Sequence, residues 1–82
     1  MNVVLAQDAQ KQYKKLPKSE QVKVRKKLLL LSQNHLAGKK LEGKLKDYRS
    51  LRAWPYRIVY FINKEKQRIE ISSILHRQGA YK

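Results

Sequence analysis

Apolar residues recur along this chain with three different spacings, and each spacing predicts an element. Val3 to Leu5 is a short apolar run, read as a first strand. Asp8 then supplies an N-cap or first-turn acid, and Ala9, Tyr13 and Leu16 follow at helical intervals, predicting a short amphipathic helix from Asp8 to about Lys15. Pro17 interrupts it. Ser19 can cap a second helix with Glu20 in its first turn; Val24, Leu28 and Leu31 mark its apolar face, Val22 and Leu29 widen that face, and Lys23, Arg25, Lys26 and Lys27 occupy much of the remainder. Joined by Leu16-Pro17-Lys18, the two form an αα-hairpin, and Gly38 closes the helical region.

After Gly43 the spacing changes to that of strands. Leu45 to Ala53 reads as one strand and Tyr56 to Ile62, aromatic and β-branched on both faces, as a central one. Asn63-Lys64-Glu65-Lys66 is a polar turn, and Arg68 to Leu75 alternates Ile69, Ile71 and Ser73 against Glu70, Ser72 and Ile74. The predicted fold is α+β with element order βααβββ: an antiparallel sheet with an N-terminal helical hairpin packed on one face. The other face is left open for binding.

Length makes this one domain, residues 1–82. Charge adds the strongest functional signal. Twenty Lys+Arg against six Asp+Glu give a formal net charge of +14, more than solubility needs. Such a field attracts polyanions: nucleic acid, the ribosome surface, an anionic membrane or an acidic protein. With 41% hydrophobic residues the chain is no disordered basic tail. It has no cysteine, which excludes disulfides and thiolate metal sites and fits a cytoplasmic setting. No signal peptide is read at the N-terminus and no apolar stretch approaches membrane-spanning length, so no membrane association is expected.

Catalytic raw material is thin. The histidines are His35, in the loop after the second helix, and His76, at the end of the last strand; Asp8, Glu20, Glu42, Asp47, Glu65 and Glu70 are scattered. No metal-ligand spacing, Walker motif or nucleophilic triad occurs, so no metal or cofactor is expected. The C-terminal half is instead dense in cations and aromatics. Two-residue alternation places Lys44, Lys46, Tyr48, Ser50 and Arg52 on one side of their predicted strand, with Arg57 in the next and His76, Arg77 and Tyr81 after the last. RNA can be cut with such an inventory. Its own 2′-OH attacks the adjacent phosphorus, a side chain takes the proton, and cations stabilise the pentacovalent charge. Arg57 stands in an otherwise apolar strand, where an arginine needs a partner or an open face. Tyr56 and Tyr60 are read as core aromatics. Trp54-Pro55 suits a hairpin turn, and whether Trp54 packs or meets a partner stays open.

The stretches Lys40-Leu41-Glu42-Gly43, Tyr48-Arg49-Ser50-Leu51-Arg52 and Tyr56-Arg57-Ile58-Val59-Tyr60, followed by His76-Arg77 and Tyr81, resemble the RelE/ParE superfamily of type II toxin–antitoxin toxins in order and spacing over nearly the whole chain. The resemblance implies a cognate antitoxin partner. It also implies one of two activities: ribosome-dependent messenger-RNA cleavage, as in RelE-like members, or DNA gyrase inhibition without nuclease activity, as in ParE-like members. For the first, Arg57 matches the arginine that stabilises the scissile phosphate, Arg77 an arginine assisting phosphate or leaving-group chemistry, and Tyr81 a tyrosine in proton transfer. His76 is a second acid–base candidate. Two strand lysines of RelE-like enzymes fall near Tyr48 and Ser50 and are missing there. Lys44 and Lys46 share that side, or Arg49 substitutes if a bulge shifts the register. Lys44, Lys46, Arg49 and Arg52, with Lys23, Lys26 and Lys27 of the second helix, are the expected contacts to messenger and ribosomal RNA.

Overall fold

The structure is a computed structural model that describes residues 1–76; the candidates Arg77 and Tyr81 lie outside the described residues. Strand β1 (Asn2–Leu5) leads into helices α1 (Gln7–Lys15) and α2 (Lys18–Gln33), followed by β2 (Lys39–Lys40), a 3₁₀ turn (Gly43–Leu45), β3 (Tyr48–Ala53), β4 (Tyr56–Asn63) and β5 (Arg68–His76). The α+β order is as the sequence pattern predicts, with one addition, the two-residue β2.

Of the two roles open to Asp8 the structure takes the first-turn acid, and the second helix starts before its predicted Ser19 cap. Asp8 lies in the first turn of α1, and α2 begins at Lys18, because the Pro17 carbonyl already accepts the amides of Glu20 and Gln21, each at 2.9 Å. Ser19 is therefore inside the helix. The hairpin is closed from α2: Gln21 Nε2 donates to the carbonyls of Tyr13 (3.2 Å) and Leu16 (3.1 Å) at the end of α1. α2 buries Val24 and Leu31, whereas Val22 and Leu29 remain exposed and do not widen its packed face.

Five strands form one sheet in the order β1-β5-β4-β3-β2. The β3–β4–β5 meander is antiparallel as expected, but β1 runs parallel to β5, so the sheet is mixed. The helical hairpin between β1 and the rest of the sheet supplies the crossover that a parallel neighbour requires. β5 thus becomes an interior strand, and Val3 and Leu5 turn inward against the core.

Alternation fails at two places. β3 begins at Tyr48, not Leu45. Gly43 adopts φ 67°, a left-handed conformation that costs glycine nothing, and Lys46 N donates to its carbonyl at 3.2 Å, so the chain coils tightly before the strand. Lys44 and Lys46 consequently do not extend the row of Tyr48, Ser50 and Arg52. In β5 a bulge intervenes: Val59 pairs with Ser73 but Tyr60 with Ile71, leaving Ser72 as the extra residue. This moves Ile74 from the predicted outer row into the core, where Gln12 Oε1 accepts its amide at 2.6 Å.

The core lies between the helices and one face of the sheet. Ala9, Val24 and Leu31 meet Ala53, Ile58, Tyr60, Ile69, Ile71 and Ile74, all nearly or fully buried. Tyr60 keeps its polar end satisfied there: its hydroxyl accepts from Gly38 N at 2.9 Å and donates to His35 O at 3.0 Å. On the opposite face the helices cover nothing.

Candidate functional site

Cross-strand pairing sets the layout of the open face. Tyr48 stands opposite Phe61, Ser50 opposite Val59, and Arg52 opposite Arg57. Arg52 is exposed and Arg57 half-buried. Like charges directly opposite on a sheet repel, and an anion bound beside them would lessen that repulsion.

Two grooves meet at Arg57. One, of about 560 Å³, is lined by Lys39, Lys40, Ser50, Arg52 and Arg57 with Leu41 at its edge. The buried Ser50 Oγ in it has no hydrogen-bond partner among the described residues. The other, of about 360 Å³, is lined by Lys44, Tyr48, Arg57, Val59, Ser72 and Ser73. No carboxylate lines either groove among the described residues. The open-face acid in β5 is Glu70, opposite Phe61. Two hydrogen bonds from the Arg68 guanidinium, at 2.7 and 2.9 Å, hold its carboxyl below the usual carboxylate range and cancel its charge locally. Among the described residues no three acidic, imidazole or thiol groups cluster so as to hold a metal ion. The arrangement is a cationic cradle with hydroxyl and aromatic groups at its floor, chemically suited to gripping a phosphodiester.

A family model for the ParE toxin of type II toxin–antitoxin systems matches residues 3–81. The chain belongs to this toxin family. Solved structures of the wider RelE/ParE superfamily share its fold. The toxin–antitoxin complex RelBE2 from Mycobacterium tuberculosis superposes with TM-score 0.85 and 29% identity, covering 93% of this chain and 96% of that one. The isolated E. coli RelE toxin gives TM-score 0.80 and 25% identity over 98% and 87% of the two chains. A YoeB/ParE toxin from Agrobacterium tumefaciens gives 0.81 and 20% identity over 93% and 98%, a likeness of fold alone. Sequence comparison with curated proteins finds no significant match.

In this ParE-family toxin the sequence-predicted residues separate into groups. Arg57, Arg52 and Lys44 come together on the open face, Lys44 through the 3₁₀ turn and not through strand alternation. Lys46 and Arg49 line a different groove, with Lys40, Tyr48 and Lys64. Arg49 alternates onto the helix side, where Nη1 donates to Gly38 O at 2.9 Å and its charge opposes the upward push that burial gives the Tyr60 phenol. No bulge in β3 brings it to the open face. His76 pairs with Tyr56, with ring centroids 5.5 Å apart and nearly perpendicular, while Arg57 faces Leu75. Alternation therefore directs His76 and Arg57 to opposite sides. Lys23, Lys26 and Lys27 line a cleft on α2 beside Trp54. Sequence reasoning missed Lys39 as a groove residue and had Lys40 only as part of a family motif, since a two-residue strand leaves no periodic signal.

Proposed function

We propose that this toxin is a messenger-RNA endonuclease acting on the translating ribosome in the cytoplasm, with the open sheet face as its cleavage site. The observation that carries the proposal is the juxtaposition of Arg52 and Arg57 in a groove flanked by Lys39, Lys40 and Lys44 and lined by no carboxylate among the described residues. The messenger backbone enters this cradle. The 2′-OH attacks the adjacent phosphorus, the P–O5′ bond breaks, and the products are a 2′,3′-cyclic phosphate and a 5′-hydroxyl end. Arg57 meets the charge that develops on the pentacovalent phosphorus, and Arg52 and Lys44 hold the flanking backbone. Arg77 assists phosphate or leaving-group charge. Tyr81 moves the proton, since alternation directs His76 away from Arg57. The attacking oxygen belongs to the substrate, so the step needs no cofactor. Lys23, Lys26 and Lys27 bind ribosomal RNA. A cognate antitoxin neutralises the toxin by covering basic and apolar surface and stabilises it by mass action; the antitoxin-bound state of RelBE2, a relative at 29% identity, supports this partner.

The test adds purified toxin to translating ribosomes. Codon-located cuts with cyclic-phosphate ends are expected, unchanged by chelator at levels that spare the ribosome. Arg57→Ala should slow cleavage by about 10²-fold or more with the fold intact. An intact message in the presence of demonstrably folded toxin rejects the proposal. The second reading, gyrase inhibition without nuclease activity, is favoured by the matching family model being that of ParE toxins. Loss of gyrase supercoiling activity on adding the toxin, with message left uncut, would establish it.

A further inference from the structure

Beyond the Arg52–Arg57 pair, α2 and the tip of the same β3–β4 hairpin border a cleft of about 290 Å³. Leu30, Ala53 and Trp54 give it an apolar lining, and Lys23, Lys26 and Lys27 complete the wall. These lysines and Leu30 fall at helical intervals that put them on one face of α2. Trp54 is 54% exposed although it is the largest apolar side chain in the protein. Glu20 pairs with Lys23 at 3.0 Å, but among the described residues no carboxylate lies within ion-pair distance of Lys26 or Lys27.

We propose that this cleft is a second RNA site, which takes one unpaired base against the Trp54 indole while Lys23, Lys26 and Lys27 hold the neighbouring phosphates. An aromatic platform beside a row of cations is the arrangement by which proteins hold single strands without reading sequence. The volume is at the lower end of small-ligand sites, suited to one ring. An acidic amphipathic helix would need an apolar stripe several side chains long, which the cleft does not offer. The inference rests on the reading of this toxin as RNA-directed, but not on its cleaving RNA. The site gives the ribosome-bound toxin a grip on an unstacked nucleotide that is independent of the cleavage groove.

Trp54 is the chain's single tryptophan, so its emission reports on this cleft alone. The experiment titrates the full-length toxin with a single-stranded adenylate oligomer, an RNA duplex of equal length and a polyglutamate peptide, following tryptophan fluorescence and, with labelled RNA, anisotropy. Quenching by the single strand is expected, with little from the duplex and none from polyglutamate. Trp54→Ala should weaken single-strand binding by about tenfold, and Trp54→Phe should retain most of it. Lys26→Gln and Lys27→Gln should each reduce the slope of log affinity against log salt by about 0.7. RNA binding that leaves the emission unchanged and is indifferent to Trp54→Ala overturns the proposal. Equal quenching by polyglutamate also overturns it, marking the cleft as a docking point for acidic protein. Quenching without message cleavage leaves this site standing and removes the nuclease reading; cleavage without quenching does the reverse.

Discussion

Arg52 on β3 and Arg57 on β4 face one another across the ladder on the side of the sheet that the helices leave open. Like charges at facing positions of one ladder repel. Arg52→Gln should therefore stabilise the isolated toxin, by up to about 1 kcal/mol at low ionic strength and less as salt screens the pair. The same change should weaken RNA binding. Urea midpoints at low and high salt, set beside RNA affinity, check both halves. A variant that is less stable than the parent at low salt rules out the repulsion.

Tyr60 carries its hydroxyl into the core because Gly38 N and His35 O meet it there. Tyr60→Phe leaves both groups without that partner and should cost about 1–3 kcal/mol. Burial raises the Tyr60 pKa above its ordinary value. The folded state then keeps the proton at pH values where the unfolded chain releases it. Tyr60's contribution is thus complete below about pH 10 and declines as pH rises beyond that. Denaturation at neutral and at high pH should show a steeper alkaline loss for the parent than for Tyr60→Phe. Identical slopes would remove Tyr60 as the source.

Gly38 is needed for closeness. A Cβ there would lie 2.7 Å from the Tyr60 ring and hydroxyl and 2.9 Å from Ser50 O, a backbone atom that cannot swing away. Gly38→Ala should destabilise by about 1–3 kcal/mol. Lys39 and Lys40 of β2 follow directly, so RNA affinity should fall with stability. Combining it with Tyr60→Phe should be less costly than the sum, since one of the clashing atoms is gone. Additive losses in thermal melts would place the strain elsewhere.

Gln12 holds the β5 bulge from the helix layer through the Ile74 amide. Gln12→Met keeps the length of the side chain but replaces a good acceptor with a weak one. Hydrogen exchange at Ile74 should accelerate, and stability should drop by about 1–2 kcal/mol. Unchanged exchange at that amide would mean that the bulge needs no tether.

Periodicity made the helices, the meander and the open face legible, because each buries one row of apolar side chains. It could not reveal the parallel β1–β5 pair, whose partners are distant in sequence and whose residues look the same in either direction. It also misread the approach to β3, where glycine at positive φ replaces extended chain with a tight coil, and the outer row of β5, where Ser72 shifts the count by one. Arg57 was legible as the lone cation in an apolar strand. Alternation also puts Arg49 on the other side, but its bond to Gly38 O was not legible, since that carbonyl lies eleven residues away before β2. Trp54 carried no periodic signal at all; only the approach of α2 to the hairpin tip gives it neighbours.

The parallel pairing of β1 with β5 also orders events during synthesis. The segment made first has no ladder partner until Arg68 to Ile71 exist, so the sheet cannot close on a nascent chain that lacks them. Until then the core lacks Ile69, Ile71 and Ile74, and the groove that Ser72 and Ser73 line beside Arg57 is not assembled. The groove between β4 and β5 thus comes into being late, after every other strand of the sheet has been made.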